Sequence, residues 1–130
     1  MAEDTAPSAS QIMDIAQATF SAMPDNIRSA AARVSTRVED FAEPTILSDL
    51  GIEDPFVLTG LYQGIPLIDD SATFPSESGP MIFLYRQPIL AEWCQRGDVG
   101  LGDLVAHVFI HELGHHFGWS DEEIYALAGH

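Results

Sequence analysis

The segment His111-Glu112-Leu113-Gly114-His115 sets two imidazoles four residues apart with a carboxylate between them. On a helix, residues four apart point the same way, so His111 and His115 can offer ring nitrogens to one metal ion. Glu112 lies about 100° from His111 and about 60° from His115 at 3.6 residues per turn. Its carboxylate therefore stands beside the ion, where it can act as general base on a metal-activated water. Gly118 follows His115 by three residues, and Asp121 follows Gly118 by three. Glycine ends helices by entering the left-handed region without steric cost. A reversal at Gly118 would return the chain toward the ion and deliver Asp121 as a third ligand. Two histidines, one carboxylate and a water complete a tetrahedral zinc site with an open position.

Chance is a poor explanation of this run. A bare H-E-x-x-H should arise in roughly one sequence in a hundred of this composition, and the longer spacing in about one in ten thousand. A buried helix that merely happens to be rich in histidine is the weaker alternative. Asp121 has a second role open to it. Ser120 and Glu123 form an S-x-x-E capping box, which puts Asp121 in the first turn of a last helix, where the helix dipole steadies a carboxylate without metal. Both roles are compatible, and Glu122 and Glu123 stand as substitute ligands. His116, about 100° round from His115, is expected to donate to a main-chain carbonyl or to line the cleft. His107 is a weaker neighbour, four residues before His111. Tyr125 either packs against the metal-binding helix, which is favoured, or stabilises an oxyanion on a peptide carbonyl.

The stretch resembles the extended motif of the zincin metallopeptidases, H-E-x-x-H-x-x-G-x-x-D, in a metzincin-like form with Asp where most metzincins carry a third His. Residues 111–123, with their doubled histidine and S-D-E-E end, resemble a family of short bacterial proteins described as zincin-like metallopeptidases. The likeness extends, less specifically, through Gly60-Leu61-Tyr62-Gln63-Gly64-Ile65-Pro66-Leu67 and Ile82-Phe83-Leu84-Tyr85-Arg86. It implies a compact domain with the zinc helix near its C-terminal end, a Zn2+ cofactor, and peptide or protein substrates. It departs from metzincins in one respect. Nine residues follow Asp121 and none is Met, so the floor beneath the site must come from another element.

Composition narrows the alternatives. A chain of 130 residues with 46% apolar and 19% charged residues is one globular domain rather than two. Five Arg, no Lys, eleven Asp and nine Glu give a net charge of −15, which repels nucleic acid and anionic membranes. The single Cys94 excludes an internal disulfide, fits a reducing cytoplasmic setting, and is expected to be a buried structural thiol. Residues 1–7 read as a disordered acidic leader without the features of a signal peptide, and residues 8–130 as the domain.

Along the chain, Ser8 and Gln11 form a capping box before an amphipathic helix that closes at Pro24. A turn comes next at Pro24-Asp25-Asn26, then an alternating strand over residues 32–38 and a short helix from Pro44 to Gly51. Residues 56–62 read as a strand and Ile65-Pro66-Leu67 as an edge segment. Residues 69–80 form a long loop whose Asp69, Asp70 and Glu77 are more simply solvated than bound to a second cation. Met81–Tyr85 is the most apolar strand and is expected at a sheet edge, able to align an extended peptide. Residues 87–96 suit a helix with Pro88 in its first turn. On the zinc helix Ala106, Ile110, Leu113 and Phe117 lie opposite the histidine pair and are expected to be its buried face.

These expectations amount to an α+β fold, a minimal zincin-like domain with a small sheet packed against an N-terminal helix and the C-terminal zinc helix. The function they imply is zinc-dependent peptide hydrolysis with Glu112 as base. The rivals are a non-catalytic zinc-binding interaction module and a zinc hydrolase of a non-peptide amide. A structural site has no need of a base at position 112, which disfavours the first. The oligomeric state is not legible in the sequence.

Overall fold

The computed structural model describes residues 6–64, 79–119 and 122. Helix α1 (Ala9–Ser21) begins where expected. The Ser8 hydroxyl accepts from the Gln11 N–H, and the Gln11 side chain accepts from the Ser8 N–H at 2.7 Å, which satisfies two otherwise orphaned donors. Its inner stripe buries Ile12 and Ala16. Phe20 meets Phe109 edge to face, with ring centroids 6.4 Å apart, tying α1 to the last helix. Just before α1, the Pro7 carbonyl accepts from Arg86 Nε at 2.7 Å.

The turn expected at Pro24 is instead the start of a second helix, α2 (Asp25–Ala30). Proline outside the first turn, an aspartate inside it and the Asp25–Arg28 ion pair are all helix-starting features. Strand β1 (Ser35–Glu39) begins three residues later than expected, with Ala32 exposed in a turn before it, and within it Thr36 and Val38 turn inward while Ser35 and Arg37 are exposed. Helix α3 (Pro44–Asp49) ends before Gly51 at φ 70°. The next strand is shorter than expected. The Asp54 side chain accepts from the Phe56 N–H and Pro55 fixes a single 3-10 turn over Pro55–Val57, so strand β2 covers only Gly60–Gln63. Beyond β2, Ile65-Pro66-Leu67 and the acids Asp69, Asp70 and Glu77 lie outside the described residues.

Strand β3 (Met81–Tyr85) is central rather than at an edge. The sheet order is β1-β3-β2, with β3 parallel to β1 and antiparallel to β2. Both of its hydrogen-bonding edges are therefore occupied, and it cannot take an added peptide strand. Its apolarity reflects this double burial: Ile82 and Leu84 are fully enclosed. Helix α4 (Arg86–Arg96) comes directly after it and stops at Gly97 in the left-handed region. Cys94 on α4 is exposed, which corrects the expectation of a buried thiol; at this position the helix turns its polar side outward between Trp93 and Gln95.

Helix α5 (Leu101–Phe117) packs on α1 and on the sheet, and its core partners are Ile12, Ala16, Ile82 and Leu84. Its buried stripe runs through Val105, Val108, Phe109, Glu112, Leu113 and His116. Of the four residues expected on that face only Leu113 is fully buried, so the helix is rotated by roughly one residue step, about 100°. That rotation carries Glu112 and His116 into the protein. The layered arrangement of helices on one small mixed sheet is α+β. No helix among the described residues is long and apolar enough to cross a membrane.

Helix α5 approaches the sheet closely at Gly60. A Cβ there would lie 2.7 Å from Val108 Cγ1 and 3.2 Å from Glu112 Cγ. Gly60→Ala is expected to cost about 1–3 kcal/mol through forced separation of helix and strand. Gly102→Ala, in the first turn of α5 with nothing within 4 Å of the added carbon, should be neutral or stabilise by up to about 1 kcal/mol. Urea unfolding of the two variants measures the contrast, and equal effects would contradict the close packing at Gly60.

Candidate metal centre

Helix α5 is apolar enough to be held by its core, and its end is sharply defined. Gly118 adopts φ 72°, the Gly118 N–H bonds to the His115 carbonyl, and the Trp119 N–H reaches back to the Gly114 carbonyl at 3.0 Å. The six-residue closure is the Schellman arrangement, which only a residue at ease in the left-handed region completes without strain. The helix stop expected at Gly118 is present. Ser120, Asp121, Glu123 and Tyr125 lie outside the described residues. Glu122, one of the two substitute ligands, is described and exposed.

His111 and His115 sit together on the outer side of α5, their ring centroids 4.9 Å apart. Ligand atoms of His111, Glu112 and His115 all lie within 4.8 Å of one another, so the three could hold a metal ion. The imidazoles are partly open to solvent, whereas Glu112 is only 7% exposed. His115 Nδ1 contacts Glu112 Oε1 at 3.1 Å. With Nδ1 engaged, Nε2 is the nitrogen of His115 that can face an ion. Two neutral imidazoles are the donors that zinc favours. The donor set fits the ion.

Burial holds the Glu112 carboxyl above the ordinary glutamate range; His115, His111 and the Tyr62 main chain pull the other way without cancelling it. The Tyr62 contribution comes from strand register. The Tyr85 N–H donates to the Thr59 carbonyl, and pairing of Leu61 with Phe83 continues that ladder. The N–H groups of Gly60 and Tyr62 therefore point away from β3, and that of Tyr62 is turned to Glu112.

Three residues near the site carried no decisive signal in the sequence. Gly60 is the point where helix meets strand. Tyr62 brings its hydroxyl to 2.7 Å from His116 Nδ1. His116 is 4% exposed, and burial holds its imidazole below the ordinary histidine range, with the Ala30 main chain at the end of α2 pulling the other way. The doubled histidine was visible in the sequence, but which neighbour it meets depends on the rotation of α5. Tyr85, 1% exposed, is a fourth feature. Its hydroxyl has no hydrogen-bond partner among the described residues, and burial first, then Glu39, Glu43 and Glu112, push its pKa up to about 12. Tyr85 thus stays protonated at any working pH, within the field of Glu112. His107 is exposed and stands outside the cluster.

The sign of Glu112's effect on stability is set by its shift. A carboxyl whose folded pKa is above its unfolded value, about 4.3, favours the native state at low pH and loses that contribution as pH rises through the folded pKa. In chelator, Glu112→Gln is therefore expected to melt higher than the parent at pH 7, with the gap closing as pH falls to about 4. Thermal melts across that range test it. A variant that melts lower at pH 7 would mean that contacts with the histidine pair outweigh burial.

Residues 31–130 match a family model described as zincin-like metallopeptidase. No curated protein matches the chain. The matched region includes the whole sheet and α5 with its imidazole pair, and leaves α1 and α2 outside. Spanning so much of the chain, the match establishes that the protein belongs to the zincin-like metallopeptidase family.

Proposed function

We propose that this chain hydrolyses peptide bonds as a zinc-dependent peptidase, with His111, His115 and Asp121 holding the metal and Glu112 as the general base. The observation that carries the proposal is the solvent-open imidazole pair set directly over a buried carboxylate, ligand atoms within 4.8 Å of one another. An ionisable group kept in the interior of so small a domain costs stability and is more readily explained by chemistry than by folding. This argues against a purely structural zinc module. Zinc bound here supplies Lewis acidity and lowers the pKa of water to about 7.

The chain's own groups then divide the work. Glu112 takes a proton from the attacking water on a carboxylate oxygen and passes it to the leaving amine nitrogen. Strand β2, unlike β3, lies at an edge of the sheet and beside Glu112, so it rather than β3 could align an extended peptide. A peptide laid along β2 would pass the carboxylate. The net charge of −15 favours cationic peptides over acidic ones, and the lone cysteine suits the cytoplasm.

Metal content and cleavage test this together. After identical dialysis, native protein is expected to hold about one zinc per chain, and His115→Ala and Asp121→Ala to lose it. Glu112→Gln should keep the metal yet cleave a broad peptide library at least about 100-fold more slowly. Retention of zinc by Asp121→Ala would move the third ligand to another carboxylate. A native chain without zinc, or undiminished cleavage by Glu112→Gln, would overturn the proposal.

A further inference from the structure

We infer that Tyr62 and His116 form a strut that fixes the Glu112 carboxylate against strand β2, so that the two adjacent histidines do different jobs. His115 faces the metal position, and His116 braces the base. The inference rests on the peptidase assignment for its catalytic consequence, but the strut is a property of the fold.

Glu112 and His116 are four residues apart on α5 and so occupy the same face on successive turns. Both meet the same residue of β2. The main-chain N–H of Tyr62 faces the Glu112 carboxylate, and its hydroxyl lies 2.7 Å from His116 Nδ1. One strand residue thus grips two turns of the helix. His116 is 4% exposed, so its ring is held in place by burial as well. The tautomer of the imidazole sets which of the Tyr62 hydroxyl and His116 Nδ1 donates, and either arrangement ties the two together. The rings of Tyr62 and His116 cross edge to face at 5.6 Å.

The flanking glycines clear the space that this grip needs. Residues two apart on a strand share a face, and Gly60 and Gly64 lie two before and two after Tyr62. A Cβ on Gly60 would collide with Val108 at 2.7 Å, and one on Gly64 would sit 2.6 Å from the Tyr62 hydroxyl oxygen. The pattern Gly60-Leu61-Tyr62-Gln63-Gly64 is therefore what lets a tyrosine lie along the strand and reach His116. Because β2 is an edge strand joined to the sheet on one side only, its position over α5 depends on such ties. A misplacement on the order of 1 Å at a reacting group can cost about 100-fold in rate. Tyr62 and His116 act as positioning residues.

The test removes one oxygen. In Tyr62→Phe, amide exchange at position 62 is expected to accelerate at least about 10-fold and the His116 Nδ1 nitrogen resonance to move, with or without zinc. Zinc content should stay at the native level. On a cleaved peptide, kcat should fall about 10-fold with KM changed less than about 2-fold, and adding His116→Gln should produce no further loss, as expected for residues in one network. A merely stabilising pair would lower Tm while leaving kcat and the exchange at position 62 alone. That result, or additive losses in the double variant, would overturn the strut. If no variant cleaves any peptide, the peptidase assignment fails, and the exchange and nitrogen shifts still decide the strut. Should His116→Gln not fold, Tyr62→Phe alone decides it.

Discussion

The contact of α5 with β2 at Gly60 is the constraint on which the rest of the site depends. A helix laid on a sheet is normally held off by the close-packed side chains of both elements. Here one layer is missing at Gly60, and Val108 and Glu112 close into the space. The helix is thereby brought near enough for its carboxylate to meet strand main chain, and the same approach sets which face of α5 is buried. Everything polar about the site derives from that rotation. Glu112 and His116 go inward, and His111 and His115 remain toward solvent.

Core packing supports the same geometry from the other side. Ile12, Ala16, Phe109 and Leu113 join α1 to α5, and Ile82 and Leu84 complete the cluster from the central strand. A helix wedged between α1 and the sheet has little freedom to roll. Its end is fixed as well, because the closure through Gly118 and Trp119 spans His115. The two imidazoles therefore sit on the last turns of a helix secured along its length, as preorganised ligands require.

Local features of this arrangement were legible in the sequence, and long-range ones were not. The four-residue spacing of the histidines, the Ser8–Gln11 box and the glycine stop at Gly118 are each decided within a turn or two of chain. The face of α5 that is buried is decided by Gly60, about fifty residues away, and periodicity could not choose between two apolar faces on a helix with Leu, Val, Phe and Ile on nearly all sides. Strand order is equally non-local. Met81–Tyr85 looked able to serve as an edge, and only the parallel pairing with β1 puts it in the centre. The helix at Asp25–Ala30 was hidden for a different reason: Pro24-Asp25-Asn26 starts turns and helices alike, and a helix this brief carries no periodic signal. Cys94 misled because cysteine is usually buried, although its helix is partly polar.

The charge balance of the site explains why the arrangement is unstable on its own and suited to a cation. Glu112 is desolvated in a chain of net charge −15, and its field, with those of Glu39 and Glu43, is strong enough to be felt at the buried Tyr85 hydroxyl. Nothing among the described residues offsets this fully, since the histidines and the Tyr62 main chain only reduce the cost. A divalent ion between His111 and His115 would reverse the sign of the local field and favour the ionised carboxylate. The same burial that penalises Glu112 in the metal-free chain would then strengthen its attraction to the ion, because low dielectric magnifies both. A core residue chosen for packing would gain nothing from that reversal. Glu112 gains from it directly, which is why its burial is better understood as preparation for chemistry than as a defect of the fold.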